Sequence, residues 1–260
     1  MKMPVLKLVE IMAKLRSDEG CPWDREQTHA SLRPYLIEEA YEALDAIDDA
    51  DDAHLREELG DVLLQVVFHA QIAHETGRFN FDDVEATIVE KLIRRHPHVF
   101  GNEEATTSDQ VLENWEKIKR SEQGETRHSV LDGLPRQMPA LLRAFRIQEK
   151  VAKVNFDWND VRDVLAKVRE EIDELEEAIN STEKARMEQE IGDLFFSVVN
   201  LSRHIGIPPE DALHKSNQRF SERFRYIEKA LELKGERIEQ ASFERLDTLW
   251  EEAKKRTGGG

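Results

Sequence analysis

Two stretches of this chain place carboxylates where a helix would bring them onto one face. Residues 38–42 read EEAYE and residues 58–61 read ELGD; residues 170–174 read EEIDE and residues 190–193 read EIGD. Glu39 and Glu42 are three apart, as are Glu58 and Asp61, so each pair shares a helical face. The same holds for Glu171 with Glu174 and for Glu190 with Asp193. ELGD and EIGD head the most apolar segments of the two halves, VLLQVVFHAQIA and LFFSVVNLSRHI. Ionised carboxylates in an apolar helix are costly unless a cation compensates them. If the helices of each pair are antiparallel, four carboxylates converge on one point. Oxygen donors alone, with neither Cys nor His at matching spacing, suit Mg²⁺ or Mn²⁺ better than zinc. A single EExxE is more commonly a solvated helix face carrying ion pairs. Its recurrence, each time with ExxD after the same gap, favours metal binding.

The recurrence extends along the chain. Both carboxylate blocks repeat at an offset of 132 residues, and Trp23 with Trp158 and Trp115 with Trp250 repeat at 135. Four landmarks in one order indicate two copies of one fold. They predict an N-terminal domain over 1–120, a linker over 121–138 rich in Gly and Ser, and a C-terminal domain over 139–260. Leu36, Ile37, Ala40, Tyr41, Leu44 and Ile47 follow helical spacing, and DDADD (48–52) reads as a turn. Further helices are expected over about 54–74 and 82–96 and around Trp115, then over 161–179, 184–204, 209–234 and 242–256. MKMPVLKLVEIMAKL at the N-terminus also has helical spacing. VLLQVVFHAQIA is apolar nearly all round, which predicts burial by neighbours on most sides. No stretch alternates with period 2 for long enough to be a strand. The expected class is all-α, two tandem helical bundles.

Other polar residues fall into patterns with two readings each. On the buried helix of the second copy Glu190, Asp193, Ser197 and Asn200 form one stripe; in the first copy Glu58, Asp61 and Gln65 lead to Phe68 instead. Asn200 either holds a metal-bound water or ligand hydroxyl, or is a satisfied core residue. Lys215, Arg219 and Arg223 share one helix face. Arginine suits bidentate contact with phosphate oxygens, and the alternative is surface pairing with glutamates. The comparable region of the first copy holds Lys91, Arg94, Arg95, His96 and His98, a helix end or an altered pocket. Trp250 is either a core anchor or a stacking platform.

Charge narrows the partners. With 37 Lys and Arg against 54 Asp and Glu in 260 residues, the formal net charge is −17. That argues against a general binder of polymer nucleic acid, whose affinity rests on cations, and against docking on an anionic membrane. The one cysteine, Cys21, allows no intramolecular disulfide and fits a reducing, cytoplasmic setting. No apolar run approaches the roughly 20 residues of a membrane span, and the N-terminus lacks a signal-peptide core.

Longer strings carry a resemblance. GCPWDREQTHASLRPYLIEEAYEALDAI (20–47), ELGDVLLQVVFHAQ (58–71) and RRHPHVFG (94–101) resemble the first half of a tandem MazG protein. EEIDE (170–174), EIGDLFFSVVNLSRH (190–204) and NQRFSERF (217–224) resemble its second half. The resemblance implies an all-α, typically homodimeric nucleoside triphosphate pyrophosphohydrolase with a part in nucleotide-pool control. Such enzymes convert NTP or dNTP and water into NMP or dNMP and pyrophosphate with Mg²⁺. It implies Glu171, Glu174, Glu190 and Asp193 as metal ligands, with Glu170 beside them as a water activator. Arg186, Arg219 and Arg223 would face the triphosphate, Trp250 would stack on the base, and Lys167 and Asn200 would belong to the same pocket. Glu39, Glu42, Glu58 and Asp61 match the metal motif in the first copy, with Glu38 alongside. That copy departs at Phe68 and lacks the NQRFSERF string. In tandem members the second copy is the principal catalytic unit and the first largely a dimerisation unit. Two other readings compete. A di-metal carboxylate bundle of the di-iron kind needs Glu-x-x-His, whereas the third residue after each candidate metal-ligating glutamate here is Glu or Asp. A non-catalytic acidic helical adaptor would bind a basic partner through the same charges.

Overall fold

The computed structural model describes residues 4–123 and 129–256, and for residues 4, 112, 113, 116, 120 and 123 the backbone alone. Residues 1–3 of the expected first helix and 124–128 of the expected linker lie outside the described residues. The chain divides into two compact units, Met1–Gly124 and Glu125–Gly260. Among the described residues both are helical, with no strand.

In unit one, α1 (Pro4–Leu15), the short α2 (Pro22–Glu26), α3 (Arg33–Asp48), α4 (Asp52–Glu75), α5 (Phe81–Arg95), α6 (Pro97–Phe100) and α7 (Ser108–Gln123) follow in order. The helix expected around Leu36–Ile47 is α3, and the DDADD turn falls between α3 and α4. Ala50 takes a left-handed φ of 52° there. The Asp51 carboxylate then accepts hydrogen bonds from the amides of Ala53 and His54, capping α4. A connection this short returns the chain antiparallel, so α3 and α4 pack along their lengths as a hairpin. α1 and α5 also pack on α4. Met12, Leu32, Val67, Phe68 and Ile72 form the core between α1 and the second half of α4. The apolar run of α4 is therefore buried beyond Leu64, while Leu59 and Leu63 near its head stay exposed.

Unit two repeats the plan with α8 (Ala140–Ala152), α9 (Val161–Ser181), α10 (Lys184–His204), α11 (Pro209–Glu232), a 3₁₀ turn (Ile238–Gln240) and α12 (Phe243–Arg256). Residues 182 and 183 join α9 to α10, and Thr182 is left-handed at φ 61°. α8 carries no landmark in the sequence. It packs on α10 as α1 packs on α4, and its buried Gln148 donates from Nε2 to the Phe196 carbonyl at 2.8 Å. Lys150 on α8 holds the carbonyls of Val130 and Asp132, which ties residues of the expected linker to unit two. Ile227, Leu231 and Leu249 bury the contact between α11 and α12.

A pair of histidines fastens the loop before α3 to α4. Arg78 donates to His29 Nε2 at 2.7 Å, so His29 carries its proton on Nδ1 and donates it to His69 Nδ1, also at 2.7 Å. The rings stack nearly parallel, and His69 Nε2 is buried without a partner. Burial, the largest cause, holds His69 below the ordinary histidine value. The unfolded chain therefore binds this proton more readily than the folded one, and the stability it contributes is full above about pH 6.5 and lost as pH falls below that. The urea midpoint of the full chain should drop between pH 7.5 and pH 5.5, and His69→Gln should shrink the drop. An equal drop in both proteins would remove the histidine pair from the acid response.

Candidate metal centre

Each hairpin brings three carboxylates together. In unit one, oxygens of Glu39 on α3 and of Glu58 and Asp61 on α4 all lie within 4.8 Å of one another. In unit two the group is Glu171 and Glu174 on α9 with Glu190 on α10. The helical spacing explains the convergence: i, i+3 residues on one helix meet their counterparts across an antiparallel turn. Glu42 is exposed at the edge of the first group and hydrogen-bonds Glu39. Asp193 is exposed and stands outside the three-carboxylate group of unit two.

The electrostatics are those of crowded negative charge. Burial, followed by the charges of Asp61 and Glu42, raises the Glu39 pKa above the usual carboxylate value. Glu58 is raised by burial and then by Glu42. Glu174 is raised by burial and then by Glu171, with Lys167 acting against them. Two buried oxygens at these groups have no hydrogen-bond partner: Glu171 Oε2, and Gln65 Oε1, whose side chain hydrogen-bonds Glu39 in unit one. The donors of both groups are carboxylate oxygens, and no histidine belongs to either; oxygen donors are the kind that hard cations such as Mg²⁺ and Mn²⁺ take.

The remaining candidate residues divide between two places in unit two. Lys167 Nζ lies 2.8 Å from Glu170 and 2.8 Å from Glu171, and these partners raise its pKa. Arg186 pairs with Glu177 at 3.1 Å and approaches Glu190 at 3.8 Å. Asn200 is buried, and its oxygen accepts from Arg203, which with His204 holds Asp157. That network occupies the Asn200 oxygen and joins α10 to the loop before α9. On α11 and α12, Arg223 lies over the Trp250 ring at 5.6 Å and Phe220 packs on the same ring at 5.1 Å. Trp250 is half-buried, and Lys215 and Arg219 are exposed on α11.

Unit one treats the corresponding parts differently. Arg95 lies over Trp115 at 5.4 Å, and His96 meets that ring edge-on at 5.0 Å. Glu122 receives both Arg95 and Arg94, and these two guanidiniums bring its carboxyl down to about 2. Sequence reasoning did not single out Glu122, nor Tyr35 and His54, which stand 132 residues before Lys167 and Arg186. The repeat itself was the signal that would have found the last two.

The model of the MazG nucleotide pyrophosphohydrolase domain matches this chain twice, over residues 27–100 and 160–227. Both matches contain a carboxylate hairpin. The chain belongs to the MazG family. It is 52% identical over 248 residues to the nucleoside triphosphate pyrophosphohydrolase/pyrophosphatase MazG of Thermotoga maritima, covering 95% of this chain and 94% of that protein. It is 47% identical to the nucleoside triphosphate pyrophosphohydrolase of Escherichia coli K12, with 96% of each chain covered. A protein of Bacillus subtilis named YabN is 46% identical, and the match spans 94% of this chain and 50% of that protein. Membership makes the chain an enzyme of the pyrophosphohydrolase class, in place of an acidic adaptor. The tandem arrangement of MazG domains accounts for the 132-residue repeat.

A raised carboxylate favours its protonated form in the folded state, so its contribution is present at low pH and lost as pH rises through the folded value. At neutral pH, without metal, Glu39 and Glu174 should therefore weaken the fold. In chelator, Glu39→Gln and Glu174→Gln should each melt above the unsubstituted chain. A lower melting temperature for both would show that the carboxylates are not in conflict.

Proposed function

We propose that this MazG chain hydrolyses nucleoside triphosphates between the α- and β-phosphorus, releasing pyrophosphate and leaving NMP or dNMP, in an Mg²⁺-dependent reaction carried by unit two. The observation that carries the reading is the group Glu171, Glu174 and Glu190, with the buried partnerless Glu171 Oε2, on the copy that also bears Arg219, Arg223 and Trp250. Glu171, Glu174 and Glu190 hold Mg²⁺, or Mn²⁺ in its place, with Asp193 at the open edge as the fourth carboxylate. Such a cation supplies an acidified water and neutralises charge growing on the phosphoryl oxygens.

The chain's own groups do the rest. Glu170, beside Lys167, orients the attacking water and takes its proton. Lys167 and Arg186 border the carboxylates and meet the phosphates nearest the metal. Arg219 and Arg223 receive the departing pyrophosphate, as guanidiniums do with paired phosphate oxygens. Phe220 and Arg223 brace Trp250, whose ring offers a stacking surface that every base shares, so broad base tolerance is expected. The names of the Thermotoga maritima and Escherichia coli relatives support the substrate class. Nucleotide-pool control in the cytoplasm is the matching role; among the described residues no helix is long and apolar enough to cross a membrane.

The active form is a homodimer. Ile37, Tyr41, Leu44 and Ile47 on α3 are each about half exposed, a row of apolar side chains that a second chain would cover. Sedimentation of the full chain should give twice the monomer mass, and Leu44→Asp should lower it to the monomer.

Catalysis is tested by pyrophosphate release over a panel of nucleotides. Glu174→Ala and Asp193→Ala should abolish release, whereas Glu42→Ala should cost much less. Undiminished release by the first two would remove unit two from the reaction.

A further inference from the structure

The two carboxylate groups differ in what neutralises them. In unit two Lys167 Nζ stands 2.8 Å from Glu171 Oε1, and Arg186 Nε stands 3.8 Å from Glu190 Oε1. At the same offset unit one has Tyr35 and His54. The Tyr35 ring stands edge-on to Trp23, with centroids 6.1 Å apart, and brings no positive charge. His54 Nε2 meets Glu58 Oε1 at 3.0 Å, an imidazole in the place of a permanent guanidinium. Among the described residues, no Lys or Arg pairs with Glu39, Glu58 or Asp61. The Gln65 side chain is only 5% exposed, hydrogen-bonds Glu39 and leaves Oε1 buried without a partner. An acceptor left without a partner beside three converging carboxylates is one that a water carried by a bound cation would satisfy.

We propose that unit one holds the tighter site for a free divalent cation, and that Lys167 occupies the cation's place in unit two until metal displaces it. The inference rests on the metal reading of both groups. A dication entering unit two must either break the Lys167–Glu171 pair or sit beside an ammonium, and both oppose binding. Unit one imposes neither. Displaced from Glu170 and Glu171, the ammonium is matched by a phosphate, so a cation arriving with a triphosphate replaces the lost pairs where a bare cation does not. Unit two therefore binds metal weakly alone and more tightly with nucleotide, whereas unit one binds it tightly without nucleotide. Lys167 is in this sense a positioning residue for the cation.

The test is calorimetric titration of the metal-free full chain with Mn²⁺, without nucleotide. Two classes of site are expected, separated by about tenfold or more, the equivalent of at least ~1.4 kcal/mol. Glu39→Gln should remove the tighter class, and Glu171→Gln should leave it intact. Lys167→Met should tighten the weaker class by about tenfold, while Lys167→Arg should not. Loss of the tighter class in Glu171→Gln, a single class of sites in the unsubstituted chain, or no response to Lys167→Met would each overturn the proposal. No Mn²⁺ uptake at either site would overturn the metal reading itself and this inference with it.

Discussion

Everything in this protein is arranged around carboxylates that repel one another. Glu39, Glu58 and Asp61 in one unit, and Glu171, Glu174 and Glu190 in the other, are each brought within 4.8 Å by an antiparallel helical hairpin. The cost is visible in the raised Glu39, Glu58 and Glu174. It is tolerable because the rest of each hairpin is held by packing the charges do not touch. Met12, Phe68 and Ile72 lock the far end of α4, and α8 does the same for α10. The turn end, with the acids, is left open to what neutralises it.

The two units answer that demand differently. Unit two surrounds its acids with Lys167 and Arg186 and sets Arg223 against Trp250. Unit one retains the acids, but Arg94 and Arg95 are held by Glu122 and Trp115 is met by His96. Arg94 and Arg95 are thus engaged within their own unit.

Much of this was legible in the residues. Helical spacing marked α3, α4, α9 and α10 closely, because long amphipathic periods and a DDADD turn admit few alternatives. The repeat at 132 located both carboxylate groups. Less legible was α8, whose ALLRAFRIQEKVA carries no chemical landmark, although it does for α10 what α1 does for α4. Spacing alone treated Asp61 and Asp193 alike, yet Asp61 joins its group and Asp193 stays exposed. Asn200 lay on the polar stripe but is claimed by Arg203, a partner three residues on whose orientation depends on Asp157 in a loop. Periodicity reports which face a residue occupies; it does not report which neighbour reaches it first.

The three-residue turn between α3 and α4, and its two-residue counterpart between α9 and α10, have an evolutionary reading. Because Glu39, Glu58 and Asp61 all lie within 39–61, and their counterparts within 171–193, each set is inherited as one uninterrupted stretch of chain. Duplicating such a segment copies the whole set of acids at once, without waiting for distant parts of a fold to supply missing members. One copy is then free to drift in its cations while the other stays under selection.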